Sequence, residues 1–153
     1  ARSRIIATIG LFRGDQMRSS TAFAFVFVCL SSAAALASPD LYECKFSGTS
    51  NAGGWIPPEV VVLHEPGQGD ATVIDGIIQH FLKEPLAAEV AADTDKRLSF
   101  GWTYLTKSGA QTARMHYRLT FFRQSGKASI TAQAAGYIGP DTGSGTCKRG
   151  KAG

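Results

Sequence analysis

From residue 41 onward the chain alternates between apolar and polar side chains for long stretches. That period of two is the mark of strands with one packed face and one wet face. Tyr42, Cys44 and Phe46 fall on one side of a strand over residues 41–46, with Glu43 and Lys45 on the other. Val60-Val61-Val62-Leu63 is a continuous, largely β-branched run and predicts a strand over 59–64. Glu65 to Asp70 holds Pro and two Gly and predicts a turn, after which 71–74 returns as a strand. The period then changes. Ile77, Ile78, Phe81 and Leu82 stand at helical spacing, Asp75 can cap the start, and Pro85 disfavours helix at Glu84, so one short helix is expected over about 75–83. Residues 86–92 fit a helix by their alanines and a strand by their alternation, and are read as a strand.

The next three segments are clearer. Leu98, Phe100, Trp102 and Tyr104 share one face of 97–105. Ala113, Met115, Tyr117, Leu119 and Phe121 share one face of 111–122, and Ala128, Ile130 and Ala132 one face of 128–134. Lys107–Ala110 and Arg123–Lys127 read as the turns between them. Short turns between consecutive strands make an antiparallel meander. Its aromatic-rich faces must be covered, so the expected fold is mainly β, a small barrel or a two-layer sandwich with one short helix. Residues 136–153 hold many glycines and Pro140, read as turn, and end in a basic tail expected to fray from about Lys148.

The first 37 residues do not follow this pattern. Met17-Arg18-Ser19-Ser20 is a short positive segment, Ala22–Leu30 is unbroken apolar, and Ala35-Leu36-Ala37 is a small-x-small site. That order is the secretory signal pattern, and the apolar stretch is shorter than the roughly 20 residues a bilayer span requires. Residues 17–37 are therefore expected to be a signal peptide, cut after Ala37 or Ala35, and residues 1–16 a start assigned too early. The working part is a single domain over 38–153, periplasmic or secreted, with no membrane span after cleavage.

This division changes charge and cysteine use. The chain carries 16 Lys and Arg against 12 Asp and Glu. Arg2, Arg4, Arg13, Arg18 and Asp15 lie before Ser38, so 12 basic and 11 acidic residues remain. The basic balance belongs to the leader and gives no footprint for nucleic acid. Cys29 also leaves, so Cys44 and Cys147 are left to pair in an oxidising compartment and join the two ends of the domain. Closing a loop of about 100 residues stabilises a fold by roughly 4–5 kcal/mol in the chain-entropy model.

Motifs with chemical meaning mostly fail on context. Asp141-Thr142-Gly143-Ser144 spells an aspartic-protease signature, but it stands alone and those enzymes share a proton between two aspartates. Gly145–Lys151 spells part of a phosphate loop with no helix to follow. His64, His80 and His116 are far apart in sequence, no catalytic residue is assigned, and neither metal nor cofactor is expected. The candidate binding residues are Arg114, His116 and Arg118, which share one strand face, with Thr112 and Thr120 beside them and Arg97 nearby. Arginines so placed can grip carboxylates or phosphates, although a solvated sheet face has the same composition. Trp55 is the second candidate, as a partner anchor or as a plug in the end of a β fold.

Tyr42-Glu43-Cys44, Gly54-Trp55-Ile56-Pro57, Phe100-Gly101-Trp102, Met115-His116-Tyr117-Arg118, Gly136-Tyr137 and Gly145-Thr146-Cys147 together resemble small uncharacterised exported bacterial proteins. The Tyr-x-Cys near the start and the late Cys are also similar to periplasmic inhibitors of c-type lysozyme, small β-barrels that block the enzyme with a Ser-Gly-x-x-Tyr loop. Ser108-Gly109 matches the start of that loop, and Thr112 stands where the Tyr would be. The first likeness brings no known activity with it, and the expected function is that of a monomeric, non-enzymatic binding domain of the cell envelope whose partner is a protein, a glycan or a small anion. The second likeness implies instead an inhibitor of a hydrolase. A third expectation is an enzyme with Asp or Glu meeting His80 or His116 across strands.

Overall fold

The computed structural model describes residues 38–50, 54–108 and 110–153. The start and signal segments over 1–37 lie outside the described residues. Eight strands run in order: β1 (Asp40–Ser50), β2 (Glu59–His64), β3 (Asp70–Asp75), β4 (Leu86–Asp93), β5 (Arg97–Ser108), β6 (Gln111–Phe122), β7 (Lys127–Ala134) and β8 (Asp141–Lys151). Among the described residues one helix, α1 (Gly76–Phe81), joins β3 to β4. Every strand pairs antiparallel with its neighbours in sequence, and β1 pairs with β8 to close a barrel.

Closure selects the barrel over the sandwich. With eight strands the interior is just wide enough for side chains to fill it. The inward residues are those the alternation singles out: Tyr42 and Phe46, Val60 and Val62, Leu98 to Tyr104, Met115 to Phe121, Ala128 to Ala132. Small and large residues face each other, alanines on β7 against the aromatics of β5 and β6. The short helix follows its local signals. Asp75 accepts hydrogen bonds from the Ile77 and Ile78 amides at 2.7 and 2.8 Å, and Ile78 is fully buried. Residues 86–93 are a strand, paired with β3 through Leu86–Glu89 and with β5 through Glu89–Asp93.

The seam between β1 and β8 departs from expectation. Residues 141–151, read as turn and frayed tail, form the strand that completes the barrel. Its composition of Gly, Thr and Ser hides it, because it carries almost no apolar alternation. Its position explains the glycine: a Cβ on Gly145 would overlap the Lys45 carbonyl of β1, so the two backbones can approach only without one. Cys44 and Cys147 face each other directly across this seam and are disulfide-bonded, the pairing expected from the sequence.

The basic tail is likewise ordered. Asp40 opens β1 opposite Lys151 and is almost fully buried. Arg149 Nη2 lies 2.6 Å from Asp40 Oδ2, and Lys151 Nζ lies 2.6 Å from Oδ1. Tyr42 donates a longer bond to the same carboxylate, at 3.4 Å. A buried carboxylate left alone is costly, so it holds the basic strand end in place. Burial opposes ionisation of Asp40, but Lys151 and Arg149 outweigh it and hold the carboxyl below its ordinary value.

Two outcomes test the seam. Gly145→Ala lowers unfolding free energy by about 3 kcal/mol, because backbone rather than a flexible side chain must yield. Gly150→Ala, where an added Cβ meets nothing, changes it by less than about 0.5 kcal/mol in the same denaturant titration. The lowered Asp40 value means its stabilisation is complete above the unfolded carboxyl range and fades as pH falls through the folded value. Asp40→Asn costs about 2 kcal/mol at neutral pH. The gap between variant and parent closes on acidification; a gap constant from neutral to strongly acid pH contradicts this account.

Candidate functional site

The two ends of the barrel differ. One end gathers the start of β1, the end of β8 and the turns after β2, β4 and β6. It is locked by the Asp40 cluster and by the Arg123–Asp93 ion pair. His64 is packed into the core here, its ring edge-on to Phe100 and its Nδ1 3.2 Å from the Asp70 carbonyl oxygen.

The other end, the mouth, gathers the segment before β2, the helix α1, the β5–β6 turn and the β7–β8 loop. Beneath it Trp102, Tyr117 and Tyr104 stack as a ladder of rings, with centroids 5.3 and 5.4 Å apart and near-parallel planes. The ladder arises from inward positions on β5 and β6, which place Trp102 opposite Tyr117 and Tyr104 one step on. Tyr104 Oη donates to Tyr117 Oη at 3.0 Å, and Tyr117 Oη donates to the Trp55 carbonyl at 3.0 Å. That last bond ties the loop carrying Trp55 down onto the barrel. Burial pushes the Tyr104 hydroxyl up to about 12 and raises Tyr117 as well, so both stay protonated and serve as fixed hydrogen-bond links.

Above the ladder lies a cleft of about 310 Å³. Met115, Ala132 and Ala134 line it from the barrel, Trp55 from one side, and Tyr137 with Ile138 from the β7–β8 loop. Tyr137 and Ile138 are among the most exposed large apolar residues of the described chain. Their loop is shaped by Gly136 and Gly139, both at positive φ, and tied by Gln133 Nε2 to the Tyr137 carbonyl at 2.8 Å. Asp141, at the start of β8, lines the same cleft opposite Ala132.

The residues singled out from sequence divide accordingly. Trp55 is half-buried at the mouth and packs against the core, so it plugs part of the end and lines the cleft. Arg114, His116 and Arg118 project outward from β6 into solvent, about 7 Å apart along the strand. His116 and Arg118 share a shallow groove with Glu89, Thr103, Thr131 and Gln133, and His116 Nδ1 lies 3.0 Å from Thr103 Oγ1. Arg114 lies further along, opposite Leu105, and Arg97 sits at the far end opposite Phe122 rather than beside them. No carboxylate forms an ion pair with Arg114 or Arg118 among the described residues. His80 is exposed on α1, where its ring packs edge-on to Phe81. The histidines thus stand on separate elements, His64 in the core and the other two at the surface. Among the described residues, no three His, Cys, Asp or Glu side chains gather where they could hold a metal ion.

Sequence reasoning missed Tyr137, Ile138 and Asp141, which lay in a segment read as turn. Only the neighbouring apolar pair Tyr137-Ile138, set among Gly and Pro, signalled them. Gly109 of the Ser108-Gly109 turn lies outside the described residues, whereas Thr112 is exposed on β6. Among the described residues, no helix is long and apolar enough to cross a membrane. The fold defines a closed eight-stranded antiparallel barrel with an apolar mouth. No protein-family model, curated protein or solved structure matches the chain.

The Tyr117 link is testable. Tyr117→Phe keeps the stacking but removes the bond to the Trp55 carbonyl, costing about 1–2 kcal/mol. It also releases the loop, so hydrogen exchange at Trp55 and Ile56 accelerates more than in the β6–β7 ladder. Uniform acceleration everywhere is the contrary result.

Proposed function

We propose that the chain is an exported, non-enzymatic binding domain of the cell envelope, periplasmic or secreted, which engages its partner at the mouth of the barrel. One observation carries this reading. The mouth displays Trp55, Tyr137 and Ile138 around an apolar cleft, while the opposite end is sealed by ion pairs. Exposed aromatic and aliphatic side chains around a concavity favour binding, because covering them removes apolar surface from water. The disulfide supports an oxidising compartment. Binding is preferred to catalysis because, among the described residues, no histidine ring bonds to a carboxylate side chain: His64 faces the Asp70 carbonyl, and His116, which shares its shallow groove with Glu89, bonds to Thr103. The exposed arginine row on β6 would serve as a secondary, electrostatic contact.

A hydrolase inhibitor is the second reading, and one feature favours it. β5 and β6 are the longest strands and stay paired out to Ser108 and Gln111, past the last β4–β5 pair at Gly101 and the first β6–β7 pair at Met115. Ser108 and Gln111 therefore stand at the end of a hairpin that runs beyond its neighbours.

Site-specific photocrosslinking in the native envelope separates these readings. A crosslinker at Tyr137 is expected to capture one saturable partner, while one at Lys45 on the β1 outer face captures none. Capture of a lysozyme or other hydrolase from Lys107 alone selects the inhibitor. Equal, unsaturable labelling from all three positions rules out both.

A further inference from the structure

Asp141 is at odds with its surroundings. Its neighbours in the mouth cleft are Trp55, Met115, Ala132, Ala134, Tyr137 and other apolar or glycine positions, with no Lys or Arg among the lining residues. It forms no ion pair among the described residues. The alternation along β8 turns it toward the barrel axis, like Gly143 and Cys147, and its charge reaches the buried Tyr117 hydroxyl. The cleft is therefore apolar in its walls and holds one carboxylate, Asp141, among its lining residues.

These features constrain what can fill it. A neutral apolar ligand would cover the Asp141 carboxylate without pairing it, and burying an unpaired charge is costly. An anion would be repelled. A ligand with an apolar body and a positive head avoids both penalties. The walls then add to its hold, since aromatic faces such as those of Trp55 and Tyr137 attract a cation held within about 6 Å. A strongly hydrated metal ion gains nothing from alanine and methionine walls. From this we infer that the mouth cleft is a site for an alkylammonium group, with Asp141 as counter-ion and Trp55 and Tyr137 as the aromatic walls. This deepens the reading of the mouth as the binding end and rests on it.

The site is also pre-shaped. Tyr117 holds the Trp55 backbone, and Gln133 holds the Tyr137 carbonyl. Less ordering is left to do when a ligand arrives, which favours affinity. An alkylammonium head has two sources, a free quaternary amine and the lysine side chain of a partner protein.

The test is a heteronuclear NMR titration of the mature, disulfide-bonded chain, followed at the Trp55 indole and at the Ala132 and Asp141 amides. The probes are choline, its neutral isostere 3,3-dimethylbutan-1-ol, and a short lysine-containing peptide with its acetyl-lysine counterpart. Choline or the lysine peptide should shift these signals saturably, and the neutral counterpart should bind at least about tenfold more weakly. Which cation binds better identifies the source. Asp141→Asn should weaken the cation by about tenfold and leave the neutral alcohol unchanged. The comparison of charged and neutral probes uses the unaltered chain, so it decides the question even where D141N does not fold. Equal binding of charged and neutral probes, or no saturable shift from either cation, overturns the inference. In that event a specific crosslink from Tyr137 would still support the mouth as binding end. Cation binding without any such crosslink would instead remove the envelope partner and leave a small-molecule site.

Discussion

The close approach of the first and last strands is the constraint on which the rest of the structure depends. A meander of eight strands is only a curled sheet until β1 meets β8, and the partners that must meet are about a hundred residues apart. Closure therefore carries a large entropic cost. Three features of the seam offset it, each by different physics. The missing side chain of Gly145 lets the backbones come within hydrogen-bonding distance. The Cys44–Cys147 bond restricts the unfolded chain. The buried Asp40 carboxylate must find Arg149 and Lys151, or bear the cost of an unpaired charge. Once closed, the barrel has no free edge, and its interior positions acquire a common core.

Closure also separates the ends in character. The terminal end is where charge is used to hold strands together, and it leaves little to bind. The mouth is held by neutral hydrogen bonds through Tyr104 and Tyr117 and by ring stacking. That mode of support leaves aromatic surface exposed above it and lets one carboxylate, Asp141, stand without a cation. Ion pairs are concentrated at one end and exposed apolar surface at the other.

Much of this was legible in the chain. The inward faces of β5, β6 and β7 follow from alternation, the helix from Asp75 and the change of period, and the disulfide from the two cysteines that the alternating segment holds. Arg114, His116 and Arg118 were correctly assigned to one outer face, because a strand sends every second residue to the same side. Arg97 was not correctly placed beside them, since which strand ends adjoin depends on register. Trp55 read more readily as plug than as anchor, and it packs against the core while lining the cleft. β8 was illegible because its residues lack intrinsic strand preference. It is a strand because β1 and β7 offer hydrogen bonds on both sides, and Gly145 relieves crowding that exists only in the closed barrel.

The sequence by itself determined which side chains face inward, where one helix interrupts the sheet, and which two cysteines the alternating segment could pair. These are properties of near neighbours, set by a period of two or 3.6 residues and by caps and turns that act over a few positions. Only the tertiary structure decided between barrel and sandwich, turned a glycine-rich tail into the closing strand, and brought Trp55, Tyr137 and Asp141 around one cleft. Those outcomes depend on contacts between residues some eighty to a hundred positions apart, which local pattern does not encode. Closure of the seam, which forces both strand ends and loops into register, is what brings them together.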